Sequence, residues 1–164
     1  MNETTQEAAL AEFDREIALA RTPQAAFRAL QVLTEAIVGA KLFTVMGVDM
    51  AAGVARRMFT SDPEAYPVTG TKPIERNSWF EVVHGERRPF VANTLEDIAK
   101  VFPDYELINS LGCQSVINLP VVMRGELAAT VNLLHETGYY TPDRLDVATR
   151  RLSVPSKLAC LLAE

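Results

Sequence analysis

The cysteines and histidines are the side chains in this sequence that could carry nucleophilic, redox or metal chemistry, and there are two of each. Cys113 and Cys160 lie far apart in sequence, so they do not form the C-x-x-C pair of a dithiol redox site. A zinc motif of the H-E-x-x-H type would begin at His135, but Tyr139 occupies the place of its second histidine. We therefore predict no metal site, no catalytic residue and no cofactor.

Composition and missing motifs narrow the class of protein further. The sequence contains neither the glycine-rich phosphate loops nor the G-x-S-x-G turn of serine esterases. A formal net charge of −5, with dispersed basic residues, argues against nucleic acids and anionic membranes as partners. The N-terminus is too polar for a signal peptide, and no apolar run would span a bilayer. We expect a cytoplasmic protein whose cysteines are reduced thiols.

Two asparagines in the clearest β-hairpin pattern are the most informative polar residues. The hairpin strands, Ser115–Met123 and Glu126–His135, flank Arg124-Gly125. A two-residue turn of type I′ would place Arg124 at positive φ, which is costly for arginine. We therefore predict a three-residue loop with Val122 opposite Glu126.

This register separates the side chains by polarity. One face carries Asn118, Pro120, Thr130 and Asn132. The opposite face is apolar and carries Ile117, Leu119, Val121, Leu127, Ala129, Val131 and Leu133. An amide in a strand interior must have its donors and acceptor satisfied by the other amide, by covering loops or by a polar ligand. We favour the ligand, because the covering segment is irregular and could leave a cavity.

That covering segment, residues 61–112, supplies aromatic residues. Tyr66 lies in the Pro-rich loop 61–73, where it would either close a pocket or pin the loop. Trp79 lies on a short helix predicted over 77–85, where it would either stack on a planar ligand or anchor the helix. The predicted ligand-binding residues are the floor residues Asn118, Asn132 and Thr130, the walls Trp79, Tyr66 and Phe102, and the polar contacts His84 and Asn93.

The order of elements predicts an α+β fold. Two helices are predicted in residues 4–39, the first begun by a Thr4–Glu7 capping box and the second by Thr22-Pro23. Hairpins over 41–60 and 115–135 would form an antiparallel sheet. One helix over 142–163, kinked at Pro155, completes the chain, and the terminal helices should cover the apolar face.

The run from Ser110 to Val121 (SLGCQSVINLPV) resembles the helix end, Ser-containing strand and Pro-containing strand middle of the GAF domain family. The two-helix start, the first hairpin and the closing amphipathic helix also match, so the resemblance covers nearly the whole chain. It implies one domain over 1–164, with helices in 4–39, sheet and pocket in 41–136 and a last helix in 142–163. Its antiparallel sheet would have five or six strands, with terminal helices on one face and a pocket covered by loops and short helices on the other.

Specialised members of this family match the sequence less well. Cyclic-nucleotide-binding members carry an Asn-Lys…Phe…Asp-Glu signature, whereas Asn93 is followed here by Thr94. Bilin-binding members need a cysteine within a motif that Cys113 lacks. Free methionine-R-sulfoxide reductases use attacking and resolving cysteines, and Cys113 lies near a reactive position without a second thiol that follows their pattern.

The residues and the resemblance together predict a stand-alone GAF-like sensor or regulatory domain in signal transduction. It would bind a small polar or planar metabolite and form a homodimer through its terminal helices. With no output domain, its signal would pass through a dimer change or a partner chain. Two alternatives remain open: a thiol-dependent redox enzyme that uses Cys113, and a ligand-free dimerisation or interaction module.

Overall fold

A six-stranded antiparallel sheet forms the centre of the computed structural model, which describes residues 2–68 and 70–164. Two residues lie outside the described ranges: Met1, the first residue of the predicted domain, and Thr69, which belongs to the predicted loop over 61–73. The strands are β1 (Leu42–Asp49), β2 (Val54–Thr60), β3 (Lys72–Pro73), β4 (Phe90–Ala92), β5 (Ser115–Met123) and β6 (Glu126–His135). Their spatial order is β3-β2-β1-β6-β5-β4, so the two long hairpins meet at the β1–β6 pair.

Helices flank both faces of this sheet. They are α1 (Glu3–Leu19), α2 (Pro23–Ile37), α3 (Ser78–Phe80) with a π-helical turn over Glu81–Gly85, α4 (Leu95–Ala99), α5 (Tyr105–Ser110), α6 (Pro142–Arg151) and α7 (Ser153–Leu162). None of the helices in the described ranges has the length and apolar character needed to cross a bilayer.

Side-chain caps begin several of these helices, and the start of α2 at Thr22-Pro23 is as predicted. Threonine hydroxyls accept hydrogen bonds from backbone N–H groups at the starts of α2, α4 and α6: Thr22, Thr94 and Thr141. Helix α1 differs from the prediction, because Asn2 is its cap and its Oδ1 accepts from both the N–H and the hydroxyl of Thr5. The predicted capping box at Thr4 is wrong, because α1 begins at Glu3 with Asn2 as its cap, which places Thr4 inside the first turn.

Helix α2 ends at Ile37, and Gly39 follows it closely. Gly39 has a φ of 105°, and a Cβ at this position would lie 2.1 Å from the hydroxyl oxygen of Tyr139. Only glycine fits both the backbone conformation and this close approach.

The C-terminal segment forms two helices instead of the single helix predicted over 142–163. Helix α6 ends at Arg151 and α7 begins at Ser153. Pro155 therefore lies in the first turn of α7, where the backbone N–H groups have no partner within the helix. A continuous helix would have set the proline ring against the carbonyl of Arg151, and the break removes that clash.

The hairpin of β5 and β6 has a different turn from the one predicted. Arg124 and Gly125 both have positive φ, 54° and 77°, as in a two-residue turn of type I′. Met123, rather than Val122, lies opposite Glu126. The prediction of a three-residue loop is wrong, because the twist of a type I′ turn matches that of the strands and outweighs the cost of positive φ at Arg124, about 1 kcal/mol.

A β-bulge next to this turn places most side chains of β5 and β6 on the faces predicted for them, although the turn itself differs. Val121 pairs with Ala129 and Val122 with Leu127, so Ala128 is the extra residue. Beyond the bulge the register places Asn118 directly opposite Asn132. The bulge also moves Leu127 from the apolar face, where the sequence placed it, to the opposite face.

The two faces of the sheet have different partners. Terminal helices pack on one face in a single apolar cluster, to which the sheet contributes Phe43, Val45, Ile117, Leu119, Val131 and Leu133. On the other face a smaller cluster joins the sheet to the covering segment through residues such as Tyr66, Ile98 and Ile108. The predicted α+β fold, with terminal helices on one face and short elements on the other, is confirmed.

Candidate ligand-binding site

A cavity of about 180 Å³ lies on the face of the sheet that carries the two asparagines. Side chains from β1, β2, β3, β5 and β6 line it from the sheet, and Tyr66 with residues in 74–80 and 101–108 line it from the covering segment. A cavity of about 150 Å³ holds a benzene-sized molecule, so this one has room for a compact ligand. The predicted site residues that it brings together are Asn118, Asn132, Thr130, Trp79, Tyr66 and Phe102.

A chain of hydrogen bonds crosses the floor of this cavity. Trp79 Nε1 donates to Asn118 Oδ1 at 2.9 Å, and Asn118 Nδ2 donates to Asn132 Oδ1 at 2.7 Å. Asn132 Nδ2 then donates to Thr44 Oγ1 at 3.1 Å. Strand pairing aligns these groups, because Asn132 lies opposite Asn118 on one side and Thr44 on the other. The asparagines therefore satisfy each other and also bond to the covering segment through Trp79.

This network uses only part of the hydrogen-bonding capacity of the amides. An amide side chain has two N–H donors and an oxygen with two acceptor positions. Within the described ranges, Asn118 donates one hydrogen bond and accepts one. One N–H and one acceptor position of Asn118 therefore have no partner in the described part of the chain.

Aromatic side chains form one wall. The rings of Trp79 and Phe102 meet edge to face, with centroids 6.3 Å apart, and Phe102 meets Phe90 in the same way at 6.2 Å. Trp79 thus both anchors its short helix, through the hydrogen bond to Asn118, and lines the cavity. Asn77 begins that helix by accepting from the N–H of Phe80 at 3.1 Å, which fixes the position of Trp79 in the first turn.

Tyr66 lies between two charged side chains. Its hydroxyl donates to Asp104 Oδ2, and the guanidinium of Arg57 lies over its ring, 3.7 Å from the centroid. Burial, with the carboxylate of Asp104 as a second cause, raises the pKa of Tyr66 well above its ordinary value. The phenol therefore stays neutral, and Tyr66 both pins its loop and lines the cavity.

Arg57 is a cavity residue that the sequence analysis did not select. Simple alternation along β2 would place Arg57 on the same face as Phe59, whose ring packs on Phe27 in the helix-covered core. A bulge intervenes, since Val45 pairs with Phe59 while Met46 pairs with Arg57. The extra residue, Met58, turns Arg57 to the cavity face. The mixture of basic and apolar residues in β2 was the available signal, but the bulge is not visible in the sequence.

The cavity does not include two of the predicted contacts. His84 stacks on the ring of Phe80, with centroids 4.5 Å apart. Asn93 uses its amide on the backbone of Tyr140, donating to the carbonyl and accepting from the N–H, each at 3.0 Å. Neither His84 nor Asn93 lines the cavity, because His84 contacts Phe80 and Asn93 contacts the backbone of Tyr140.

The thiols are buried and separate. Burial raises the pKa of the Cys113 thiol, which lies in the cluster beneath the covering segment and not among the cavity-lining side chains. Cys160 belongs to the cluster on the opposite face of the sheet, where burial raises its pKa to about 11. A thiolate is the reactive form of cysteine, so neither environment activates its thiol.

Comparison with solved structures finds GAF domains. The chain is similar to the GAF domain of a phosphoenolpyruvate-protein phosphotransferase from Coxiella burnetii, with a TM-score of 0.71 and 18% identity, covering 99% of this chain and 95% of that one. The corresponding GAF domain from Acinetobacter gives a TM-score of 0.70 and 11% identity over 99% and 95% of the two chains.

The GAF domain of a two-component sensor histidine kinase from Bacillus halodurans is also similar. Its TM-score is 0.67 and its identity 12%, covering 88% of this chain and 100% of that one. No family sequence model and no curated protein sequence matches the chain. At these identities the likeness concerns the fold.

Proposed function

Since this chain has the GAF-domain fold, we propose that it is a sensor or regulatory domain that binds a compact metabolite between the sheet and the covering segment. The single observation that carries this proposal is the cavity over Asn118 and Asn132, which lies on the face where the sequence predicted a ligand. Apolar and aromatic side chains would bury the ligand, and a few polar groups would select it. The similar GAF domains of a histidine kinase and of phosphotransferases support a regulatory role.

Trp79 offers a way for the ligand to act on the fold. Its indole N–H holds the helix α3 to Asn118, and its ring lines the cavity. A ligand that competes for Asn118, or that packs on Trp79, would shift the covering segment relative to the sheet. A ligand that binds one arrangement of the covering segment more tightly than the other would shift the equilibrium between the two arrangements.

A homodimer formed through the terminal helices is the second part of the proposal. Large apolar side chains are exposed on α1, α2 and α7, with Leu19 75% and Val154 71% exposed. The others on these helices are Val32, Leu158, Leu161 and Leu162. An apolar surface of this kind is typical of a protein interface, and a second copy would bury it.

We further propose that the chain forms a single domain and is located in the cytoplasm. The two cysteines are free thiols, which agrees with a reducing compartment. A redox enzyme using Cys113 is not favoured, because that thiol is fully buried and its pKa is raised. An interaction module without a ligand is also not favoured, because the side chains around Asn118 leave the cavity open.

Native mass spectrometry of the freshly purified protein, with a thermal-shift screen of metabolites, tests the ligand. We expect a bound mass or a stabilising metabolite, and we expect Ala55→Phe, which fills the cavity from β2, to abolish it. Ala51→Phe, in the exposed turn between β1 and β2, is the matched control and should bind as the wild type does. Absence of any bound mass or stabilising metabolite, or unchanged binding to the Ala55→Phe protein, contradicts the proposal.

Light scattering coupled to size-exclusion chromatography tests the dimer. We expect Leu161→Glu on α7 to convert a dimer to a monomer, because a charge would enter the buried apolar surface. The matched control is Leu107→Glu on α5, where the leucine is similarly exposed but lies far from the terminal helices. A wild-type monomer, or a dimer that survives Leu161→Glu, contradicts this part of the proposal.

A further inference from the structure

We infer that Arg57 binds the carboxylate of a compact organic acid in the cavity. This inference rests on the proposed ligand-binding function and names the chemical class of its ligand. It begins from Arg57, a residue that is 7% exposed and lines the cavity, and whose guanidinium has few partners in the described part of the chain.

The charge of Arg57 is not compensated by a nearby carboxylate. Within residues 2–68 and 70–164, no aspartate or glutamate oxygen lies within 4.0 Å of its guanidinium. Burial of an unpaired charge is costly, and removal of a partner from a buried pair usually destabilises a protein strongly. A ligand carboxylate would supply the missing opposite charge.

The hydrogen-bond donors of Arg57 are also incompletely used. Nη1 donates to the carbonyl of Pro67 at 2.7 Å, while Nε is buried with no partner in the described part of the chain. A guanidinium presents its N–H groups as a planar fork that matches a carboxylate, and such charged, bidentate pairs are strong. The cation–π contact with Tyr66 also holds the plane of the guanidinium in place.

Of the two basic residues that line the cavity in the described ranges, Arg57 is buried and Lys72 is exposed. Asp104 accepts from the Tyr66 hydroxyl at the far end of the ring, so its carboxylate is engaged there. Lys72 and Glu75, of opposite charge, are both exposed where they line the cavity. A ligand with one negative group therefore fits better than one with several.

The remaining lining selects the rest of the ligand. Met46, Val48, Ile74 and Phe102 present apolar surface to the same cavity. A volume of about 180 Å³ limits the ligand to a short aliphatic chain or a single ring. The ligand is thus a small monocarboxylic acid, with its carboxylate on Arg57 and its apolar body against the aromatic wall.

Calorimetric titration with matched acids and amides tests this inference. The probes are benzoate, isovalerate and hexanoate, their primary amides, and inorganic phosphate. We expect at least one acid to bind and its amide, which has the same shape without the charge, to bind more weakly. The Arg57→Met protein should lose affinity for that acid by about 10- to 100-fold, the size of a charged hydrogen bond.

Two further variants separate recognition from folding. Arg56→Met changes the exposed neighbour on β2 and should bind the acid as the wild type does. Arg57→Lys keeps the charge but not the fork, so its affinity should lie between those of the wild type and Arg57→Met. If circular dichroism shows that Arg57→Met is unfolded, the Arg57→Lys protein supplies the comparison.

The possible results distinguish failure of the inference from failure of the proposed function. Equal binding of acid and amide, binding of phosphate alone, or unchanged affinity in both Arg57 variants overturns the inference. If a neutral metabolite still binds and Ala55→Phe blocks it, the proposed function survives. If no acid binds the wild type, the inference is wrong; if no metabolite of any charge binds, the proposed function is wrong too.

Discussion

The two faces of the central sheet are covered differently: one is closely packed, and the other borders a cavity. On the helix-covered face, the ring of Phe59 lies 5.8 Å from that of Phe27 and 6.0 Å from that of Phe43, and the apolar cluster around them is continuous with the helices. On the other face, Asn118 and Asn132 bond to each other and to Trp79, and a cavity remains. The comparison shows that one sheet can combine a packed core on one face with a cavity over a polar floor on the other.

The largest expected effect is on the packed face. Leu133→Ala removes a fully buried side chain from β6 and should lower the free energy of unfolding by about 2–5 kcal/mol. Met46→Ala, its counterpart on the cavity face, should cost about 1 kcal/mol because Met46 already borders open space. Chemical denaturation measures both, and equal losses would mean that the two faces are packed alike.

A smaller effect is expected for the floor of the cavity. Asn118→Ala leaves Trp79 Nε1 without its acceptor and Asn132 Oδ1 without its donor, at a cost of about 1–3 kcal/mol in unfolding free energy. Asn109→Ala on exposed α5 is the matched control and should change stability by less than about 0.5 kcal/mol. Equal stability of the two variants would show that the floor network contributes nothing.

Removal of the hydrogen bond between Trp79 and Asn118, which joins the covering segment to the floor, should have a smaller effect again. Trp79→Phe keeps an aromatic wall but removes the N–H that donates to Asn118, with an expected loss of about 0.5–1.5 kcal/mol. Hydrogen exchange should become faster in residues 77–85 and remain unchanged in α2. Faster exchange in α2 as well would show that the two faces are not independent.

The alkylation rates of the two thiols should show the burial of both faces of the sheet without a mutation that changes stability. Cys113 and Cys160 are buried on opposite faces and their pKa values are raised, so alkylation of the native protein below pH 8 should be slower than that of a free cysteine. The rate should rise with pH as thiolate forms, and denaturant should expose both sites. Rapid native labelling of Cys113 at neutral pH would restore the redox alternative.

Periodicity and cap residues were sufficient to predict much of this fold. The alternation of side chains in β5 and β6 placed Asn118 and Asn132 on one face and most apolar partners on the other, and the Thr22-Pro23 pair located the start of α2. The position of the cavity followed from the same alternation, because a polar strand face under an irregular cover predicts a cavity.

Bulges and local turns account for what the sequence did not predict. One extra residue, Ala128 in β6 or Met58 in β2, reverses the face of the side chains beyond it, which is how Leu127 and Arg57 come to line the cavity. The pairing of neighbouring strands determines where such a bulge forms. The partners of His84 and Asn93 are likewise set by tertiary contacts, with Phe80 and Tyr140.

Trp79 is the single tryptophan of the chain, so its indole N–H gives one assignable signal at the centre of the proposed site. Proton–nitrogen NMR during titration with the acid that binds most tightly therefore tests the central claim directly. We predict that the Trp79 indole and the Asn118 side-chain amide shift together and saturate with the calorimetric affinity. Binding that leaves both signals unmoved, or that shifts only residues of the terminal helices, would contradict a ligand site between the sheet and its cover.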